Sequence, residues 1–482
     1  MRGTTTGAPS QTPRPRLLLV THHYPPEHGA PQRRWDTLTP RIMAAGLDVA
    51  VLAPPPHYPT GRLQDDDARY RPGSITRGRH GERVVRVRFR PHSPRLLSRT
   101  LDQTIAAASS VWLGVRYFRR RGARPHVVIG TVPGIPSMFA AWALARLLRA
   151  RLVVEMRDAW PDLIEPSGIL DNDRPARARA LSGLRAAAHR AVSRLQARAD
   201  AVVTTTETFA QVLLERGIRR VTVVRNGTSF RPLDARDAAD PARDETADRA
   251  RDEARDEARE LADRADVTAP RRPLRAVYAG TVGRAQDLEC VVRAAALVAR
   301  RGLPIDLRIV GTGSEVPALQ RLAADLDAPV SFVGPVPHEQ VRRLYSWADT
   351  VVVTLRDWKP LEWTVPSKLY EVMASGTYAT ACVAGEAAAL VRRSGAGSVI
   401  SPGDSDALAD LWAGWAATEA VPDVEPLAAR WVAENADDDV LAAKYVALLR
   451  ELTGAVPTTP AGFVETSSVV STSSTDEGEA TR

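Results

Sequence analysis

Short apolar runs alternate with helical patterns along most of the chain, in two successive series. In the first series the runs, which we interpret as strands, lie at residues 16–20, 48–52, 84–89, 126–129, 152–156, 201–204 and 221–224. In the second they lie at residues 274–279, 305–310, 330–333, 350–355, 378–383 and 398–400. Strands that are apolar throughout are typical of parallel sheets, which helices cover on both faces. The alternation therefore predicts two α/β domains, each a doubly wound, Rossmann-like parallel sheet.

A segment of different composition separates the two series. Residues 231–272 consist mainly of Arg, Asp, Ala and Glu and have almost no apolar face, which predicts a solvated helical or disordered linker insertion. The polar ends of the chain are expected to be a flexible N-terminus and a disordered tail. The predicted boundaries are 1–14 for the flexible N-terminus, 15–230 for the N-terminal domain, 231–272 for the insertion, 273–435 for the C-terminal domain, 436–453 for a closing helix and 454–482 for the tail.

The helix after the 350–355 strand is a candidate anion site. Pro366 and Ser367 begin this helix, Lys368 lies in its first turn, and Glu371 follows one turn later. A helix N-terminus carries a partial positive charge, to which the Lys368 ammonium would add a full one. The chain has only three lysines, so a lysine here is hard to attribute to composition. A phosphate beside a sugar diol would suit this site, and the alternative is a surface lysine at a helix start.

Further candidates follow other predicted strands. They are Gly29, Arg157, Asp158, Gly283, Arg284, Gly311 and Glu386. Loop glycines let backbone N–H groups approach a phosphate, and Arg284 beside Gly283 suits the same ligand. The Arg157–Asp158 pair suits a sugar, or is a structural ion pair, and Glu386 could simply serve a helix dipole. In open parallel sheets ligands bind beyond the carboxyl ends of the strands, so facing domains would place these residues around one cleft.

Composition and charge narrow the class of protein. Of 482 residues, 44% are hydrophobic and 25% are charged, the balance of a globular protein. No apolar run is long enough to cross a membrane, and residues 1–16 lack the apolar core of a signal peptide, so we expect a cytoplasmic location. The two cysteines, Cys290 and Cys382, have no metal-ligand spacing and are expected in the core.

The net charge of +8 is unevenly distributed. Residues 83–124 hold eleven arginines and a single acid, Asp102. Such a face would attract an anionic membrane surface or a nucleic acid. We expect the membrane surface and no nucleic acid as partner, and the alternative is an ordinary solvated face. His22, His23 and His28 suggest a metal, but their spacing is not that of a known site, so no metal is expected.

Several motifs together resemble the family 4 glycosyltransferases of the GT-B fold. The resemblance covers about residues 15–452 apart from the insertion. It rests on the segments YPPEHGA (24–30), RDAWP (157–161), NG (226–227), YAGTVG (278–283), VGTG (310–313) and PSKLYE (366–371). The second and last segments are similar to those of the N-acetylfucosaminyltransferase-like branch, whose members build surface polysaccharides.

This resemblance implies a retaining transfer of a sugar from a nucleotide diphosphate sugar to a sugar or lipid-linked hydroxyl acceptor, with no cofactor and no metal. It implies that Arg284 and Lys368 neutralise the leaving diphosphate, with Ser367 beside them, and that Glu371 holds the ribose. Glu386 would meet the donor sugar. The remaining assignments are Gly29 near the diphosphate and acceptor, Gly283 and Gly311 in donor-binding loops, and Asp158 or Arg157 near the reacting carbon.

One position departs from the family pattern. Many relatives carry a glutamate eight residues before the one matched to Glu371, where this chain has Trp363. Either the loop brings the neighbouring Glu362 into place, or Glu386 and backbone groups contact the donor sugar. Two other functions stay open from the sequence, a nucleotide-sugar 2-epimerase of the same fold and a non-catalytic nucleotide-binding scaffold at the membrane.

Overall fold

The computed structural model describes residues 14–454 except positions 28, 59, 94–95, 133, 165, 167–174, 229 and 231–270. The expected flexible N-terminus, the insertion and the expected disordered tail therefore lie outside the described residues, except at their edges. His28 and the structure of position 95 lie outside them as well.

The N-terminal domain is built on an eight-stranded sheet, as far as the described residues show. Its strand order is β3-β4-β2-β1-β5-β6-β7-β8, and every pairing is parallel except that of β3 with β4. The strands are β1 (Arg16–Val20), β2 (Asp48–Ala53), β3 (Ile75–Arg77), β4 (Arg83–Arg86), β5 (Val127–Val132), β6 (Arg151–Met156), β7 (Ala201–Thr204) and β8 (Val221–Val223). The helices are α1 (Ala30–Ala44), α2 (Leu96–Phe118), α3 (Ile135–Leu147), α4 (Pro175–Gln196) and α5 (Glu207–Glu215).

The C-terminal domain has a six-stranded, fully parallel sheet in the order β11-β10-β9-β12-β13-β14. The strands are β9 (Leu274–Ala279), β10 (Ile305–Val310), β11 (Val330–Val333), β12 (Thr350–Thr354), β13 (Tyr378–Cys382) and β14 (Gly397–Ile400). The helices span Leu288–Arg300, Val316–Asp325, His338–Trp347, Ser367–Ser375, Gly385–Ser394, Ser405–Thr418, Pro426–Asn435 and Asp438–Thr453. We call the Ser367–Ser375 element the Ser367 helix and the Asp438–Thr453 element the closing helix.

Each sheet separates two apolar layers, because successive side chains of a strand point to opposite faces. In β1, Leu18 and Val20 pack into one core cluster, whereas Leu17 and Leu19 pack into the cluster on the other face. Full burial of such a side chain stabilises the fold by roughly 1.5–3 kcal/mol. This two-sided burial explains why the central strands are apolar runs with no alternation.

The closing helix belongs to the core of the N-terminal domain, although it follows the C-terminal domain in sequence. Tyr445 is buried against Trp35 of α1, with 5.7 Å between the ring centroids, and Leu449 is fully buried in the same cluster. Arg450 donates a hydrogen bond to the carbonyl of Ala45. The chain thus crosses back between the domains just before Asp438, beside the cleft.

Among the described residues, the hydrophobic pattern did not predict the strand β3 or the helix Pro426–Asn435. β3 is a three-residue antiparallel edge strand with one apolar side chain, so it has no periodic signal. The helix Pro426–Asn435 buries only Ala428 and Val432 among its ten residues. Elements this short or this lightly buried lack the apolar stripe from which helices and strands are predicted.

Candidate functional site

A cleft of about 1490 Å³ lies between the two domains, at the carboxyl ends of both sheets. Its walls include residues of both domains and the start of the closing helix. Seven of the predicted site residues line it, namely Gly29, Arg157, Asp158, Arg284, Ser367, Lys368 and Glu371. Three others, Gly283, Gly311 and Glu386, are not among the lining residues.

Lys368 lies in the first turn of the Ser367 helix, with its ammonium against the face of Tyr278. The Nζ atom is 3.4 Å from the ring centroid, a cation–π contact. Nζ is buried and has no hydrogen-bond partner among the described residues. Burial lowers the pKa of Lys368 to about 7, although the Glu371 carboxylate acts in the opposite direction. An ammonium left without hydrogen bonds at a helix N-terminus is suited to receive an anion.

Glu371 faces the cleft one turn further along the same helix and contacts the other domain. Its Oε1 lies 2.6 Å from an Nη atom of Arg33, which α1 contributes. The neighbouring imidazole of His338 also faces this pair, and burial and the Arg33 charge lower its pKa. The carboxylate predicted to hold a ribose is therefore held by an arginine across the cleft.

Arg284 lines the cleft from a single 3₁₀ turn that begins after β9. Its neighbour Gly283 precedes that turn, and the Gly283 backbone N–H donates a hydrogen bond to the side-chain oxygen of Gln286. Gly280 has a φ of 146°, and a side chain there would come within 3.0 Å of Lys368 Nζ. Gly280 thus leaves space for the ammonium, which lies next to the loop that carries Arg284.

Gly311 supports this loop from the next strand instead of facing the cleft. A Cβ at Gly311, whose φ is 140°, would lie 1.9 Å from the carbonyl oxygen of Gly280. The close approach of the two strand-end loops therefore requires glycine at position 311. A role for Gly311 near the nucleotide base stays a prediction.

Arg157 and Asp158 follow β6 on the opposite side of the cleft. Burial raises the pKa of the Asp158 carboxyl, and the Arg157 guanidinium opposes that rise. Burial also lowers the pKa of Arg157, and the charge of Arg34 lowers it further. The pair faces the same space as Lys368 and Arg284, as the sequence-based hypothesis requires, and its catalytic role is still a prediction.

The structure places Glu386 in a contact between the domains. Its carboxylate accepts hydrogen bonds from the backbone N–H groups of Glu207 and Thr208 at the start of α5, and it lies 2.8 Å from Arg225. A carboxylate is stabilised there by the helix N-terminus. These hydrogen bonds hold the pKa of Glu386 below its usual range, although burial alone would raise it. The predicted contact with a donor sugar would require Glu386 to leave these partners.

Trp363 also lies in a contact between the domains. The Trp363 ring stacks on Phe209 of α5 at 6.1 Å, and its carbonyl accepts a hydrogen bond from Thr206. Glu362 pairs with Lys359 at 2.7 Å and is not among the residues that line the cleft. A contact of Glu362 with the donor sugar would require it to leave Lys359.

Two of the three histidines considered for a metal site, His22 and His23, lie close together. Their neighbour His57 was not singled out from the sequence. His22 lies next to both His23 and His57, with ring centroids 4.9 Å apart in each case. Burial lowers the pKa of His22 to about 4 and also lowers the pKa of His57. These residues lie beside the cleft, where Glu27 forms part of the wall.

The sequence reasoning missed several cleft residues. They are Arg33, Asn226, Tyr278, His338 and Asp438, all of which line the cleft. Asn226 and Tyr278 belong to motifs that carried the family resemblance but received no role. Arg33 lies in the first turn of α1, and no local signal marks it. Asp438 could have been inferred from its place at the start of the closing helix.

Two family models match the chain, one for each domain. Residues 29–227 match the family described as "Glycosyl transferase 4-like domain", and residues 273–414 match "Glycosyl transferases group 1". Together the two matches span most of the chain and leave out the insertion. The two domains of the chain are therefore those of a glycosyltransferase. A search of curated proteins gave no match.

Solved structures confirm the fold of this glycosyltransferase. Sucrose-phosphate synthase from Thermosynechococcus elongatus is similar with a TM-score of 0.63 and 17% identity, over 92% of this chain and 100% of that one. Anabaena Alr3699/HepE in complex with UDP and glucose is similar with a TM-score of 0.57 and 15% identity, over 90% of this chain and 99% of that one. A glycosyltransferase from Rickettsia africae ESF-5 is similar with a TM-score of 0.53 and 13% identity, over 91% of this chain and 98% of that one. The predicted GT-B architecture, two facing Rossmann-like domains with a cleft between them, is therefore confirmed. The two family matches confirm the prediction of an enzyme, a glycosyltransferase.

Proposed function

We propose that this glycosyltransferase moves a sugar, with retention of configuration, from a nucleotide diphosphate sugar to a hydroxyl acceptor. The observation that carries the proposal is the buried Lys368 ammonium, which has no hydrogen-bond partner among the described residues and lies at a helix N-terminus in the cleft. A diphosphate would supply the missing hydrogen bonds. The Anabaena HepE structures contain UDP with glucose, or UDP-glucose. UDP-sugars are therefore the first donors to test.

The cations of the cleft would act on the leaving group. Negative charge builds on the diphosphate as the sugar–oxygen bond breaks, and Lys368 and Arg284 would neutralise it. Each charge-assisted contact contributes about 1.5–3 kcal/mol, and more of this is realised in the transition state than in the ground state. Two cations in these positions supply the charge that a metal would otherwise provide, so we propose that transfer requires no metal and no cofactor.

The remaining predicted residues would hold the donor and the acceptor. Glu371 would accept hydrogen bonds from the ribose hydroxyls in place of its contact with Arg33. Glu386 would contact the donor sugar after leaving α5. The other proposed roles are the helix start at Ser367 and the loops of Gly283 and Gly311 on the donor side, Gly29 at the diphosphate and acceptor, and Asp158 with Arg157 near the reacting carbon.

We further propose that the acceptor is a lipid-linked sugar in surface polysaccharide or glycolipid synthesis. The RDAWP and PSKLYE segments, which resemble the N-acetylfucosaminyltransferase-like branch, support this proposal. No helix among the described residues is both long and apolar enough to cross a membrane. Access to such an acceptor would come through α2 and α3, which are packed together and expose Leu97, Trp112 and Leu147.

Only some of the eleven arginines of residues 83–124 are exposed on this surface. Arg86 is buried and donates a hydrogen bond to the carbonyl of Pro54, so it does not belong to an external face. Arg116, Arg119, Arg120 and Arg121 are exposed near Trp112 or at the end of α2. Exposed aromatic and aliphatic side chains beside arginines are typical of proteins that bind the surface of an anionic membrane.

The reaction is tested by incubating the full chain with UDP-, GDP- and dTDP-sugars and measuring release of the nucleoside diphosphate. With a lipid-linked acceptor, NMR of the product should show the anomeric configuration of the donor. Inversion would contradict retention. Formation of the C2 epimer without an acceptor would indicate the epimerase, and binding with no turnover of any donor would indicate the scaffold.

Membrane association is tested by flotation with liposomes. We expect binding to liposomes that contain phosphatidylglycerol and much weaker binding to phosphatidylcholine alone, with a loss of binding in the triple variant R119Q/R120Q/R121Q. The matched control is Arg293→Gln, an exposed arginine of the other domain that pairs with Glu289. Equal binding to both lipids would contradict the proposal.

A further inference from the structure

A cluster of imidazoles and carboxylates lies at the ends of β1 and β2 and the start of α2. It contains His22 and His57, from the loops after the two strands, and Asp102, the single acid among residues 83–124. The exposed fractions of these residues are 4%, 1% and 0%, respectively. Three such groups buried together need partners, because a polar group in an apolar interior is costly without them.

The potential ligand atoms of these three residues lie close enough to surround one ion. One ligand atom from each of His22, His57 and Asp102 lies within 4.8 Å of the others, and His22 Nε2 is 3.2 Å from Asp102 Oδ2. Ligands of a tetrahedral Zn²⁺ lie about 2.0–2.2 Å from the ion, and therefore roughly 3.4 Å from each other. Small side-chain movements would bring the three atoms to this geometry.

The surrounding hydrogen bonds leave the ligand atoms open. His57 Nδ1 lies 2.9 Å from the carbonyl of Pro55, to which it can only donate, so the lone pair is on Nε2. That Nε2 is buried without a hydrogen-bond partner among the described residues. Asp102 Oδ1 accepts the backbone N–H of Arg90, and Oδ2 remains. A histidine that donates one ring N–H to a carbonyl and offers the other nitrogen has the usual arrangement of a metal ligand.

A second group of residues nearby is a poorer candidate. His23, Glu27 and His57 also lie within reach of one another. The Glu27 carboxylate, however, already accepts hydrogen bonds from the backbone N–H groups of His57 and Tyr58 and from the side chain of Gln32. A carboxylate with these donors has little need of a cation, so His22, His57 and Asp102 are the better candidates for a metal site.

We propose that His22, His57 and Asp102 bind one divalent transition-metal ion, with Zn²⁺ the best match to two imidazoles and one carboxylate. His92, whose Nε2 is 3.9 Å from Asp102 Oδ2, is a further imidazole that could complete the coordination. The ion joins two strand-end loops to α2 and so stabilises the N-terminal wall of the cleft. It is a structural site, distinct from the residues proposed for sugar transfer.

The test uses the full chain without a histidine tag. The protein is stripped with a chelator, and Zn²⁺ binding is measured by titration and by elemental analysis after dialysis. We expect one equivalent per chain and a Tm that rises with Zn²⁺. His57→Gln and Asp102→Asn should weaken Zn²⁺ binding by more than about 100-fold. His126→Gln, which replaces an exposed histidine outside the cluster, is the matched control and should bind as the wild type does.

A second measurement does not depend on whether the variants fold. Co²⁺ added to the stripped wild-type protein should give the intense visible absorption of a four-coordinate site, and Zn²⁺ should abolish it. A wild-type chain that takes up no stoichiometric Zn²⁺ and gives no such spectrum would overturn the proposal. So would equal loss of binding in His126→Gln and His57→Gln. The cluster would then be a hydrogen-bonded His22–Asp102 pair.

Discussion

Lys368 is the residue whose surroundings bear most directly on function. Its Nζ is enclosed by Tyr278 and the Gly280 backbone, and it has no hydrogen-bond partner among the described residues. Burial without a partner is costly for an ammonium unless a ligand completes the site. The residue type and its place at a helix start were evident from the sequence. The enclosing tyrosine was not, because it comes from a strand 90 positions earlier.

The pKa of Lys368 predicts a pH dependence of nucleotide binding. With a pKa of about 7, the ammonium of the free enzyme loses its charge as the pH rises through 7. A bound diphosphate raises the pKa of Lys368, so above pH 7 the protein takes up a proton when it binds UDP. The affinity for UDP therefore falls by up to about tenfold for each pH unit above 7. Titration calorimetry with UDP at pH 7.0 and at about pH 8.5, where the phosphate is already ionised, should show this loss. Lys368→Met should bind weakly at both pH values, and a parallel pH profile in wild type and variant would contradict the assignment.

Glu371 predicts discrimination at the ribose. If its carboxylate accepts a hydrogen bond from a ribose hydroxyl, the wild type should bind UDP more tightly than 2′-deoxy-UDP by about tenfold, the value of one hydrogen bond of about 1.5 kcal/mol. In Glu371→Met, which has no side-chain oxygen to accept this hydrogen bond, the ratio of the two dissociation constants should approach one. An unchanged ratio in the variant would assign Glu371 to its contact with Arg33 alone.

At the scale of elements, the sequence predicted what depends on apolar periodicity and missed what does not. The strand β10 has the predicted bounds, because buried side chains recur regularly along it. β3 and the helix Pro426–Asn435 bury too few side chains to leave such a pattern. Glu386 shows the corresponding limit for the site. Its place at a strand end was evident, but its partner, the N-terminus of α5, belongs to the other domain.

The closing helix predicts a stability effect at this scale. Leu449 is fully buried against the N-terminal sheet, and Leu449→Ala should lower the free energy of unfolding by about 2–5 kcal/mol. The exposed Lys444 of the same helix is the matched control. Lys444→Ala should change the free energy of unfolding by less than about 0.5 kcal/mol. Urea denaturation followed by circular dichroism measures both. Equal effects would mean that the helix is not docked on this domain.

For the whole molecule, the ion pair of Arg225 with Glu386 joins the domains beside the cleft. Both side chains are about nine-tenths buried, at 10% and 9% exposure. Removing one partner of a buried pair costs up to about 3–5 kcal/mol. A smaller cost is expected here, because Arg225 also pairs with Glu207 and Glu386 also accepts backbone N–H groups of α5. Arg225→Met and Glu386→Gln should therefore each lower the midpoint of urea unfolding, and the double variant should be no worse than the single ones. A Glu386→Gln variant that weakens donor binding without changing the midpoint would instead favour the donor-sugar role.

The arrangement of the two domains is the part that sequence could predict least. Two α/β series and their strand-end loops predicted two sheets and a cleft, and the family matches and the fold agree with that. The contacts that hold the cleft, Arg33 with Glu371 and Trp363 with Phe209, join positions more than 150 residues apart. No local pattern encodes such pairs, since each partner is unremarkable within its own helix or loop.

The most direct test of the central claim compares two of the three lysines. Release of nucleoside diphosphate from the best sugar donor is measured for the wild type, for Lys368→Met and for Lys359→Met, whose lysine is exposed and pairs with Glu362. Loss of one charge-assisted contact of about 1.5–3 kcal/mol predicts a decrease of roughly 10- to 150-fold in kcat/KM for Lys368→Met. Lys359→Met should retain the wild-type value. Equal activity of the two variants would contradict a transfer site centred on Lys368.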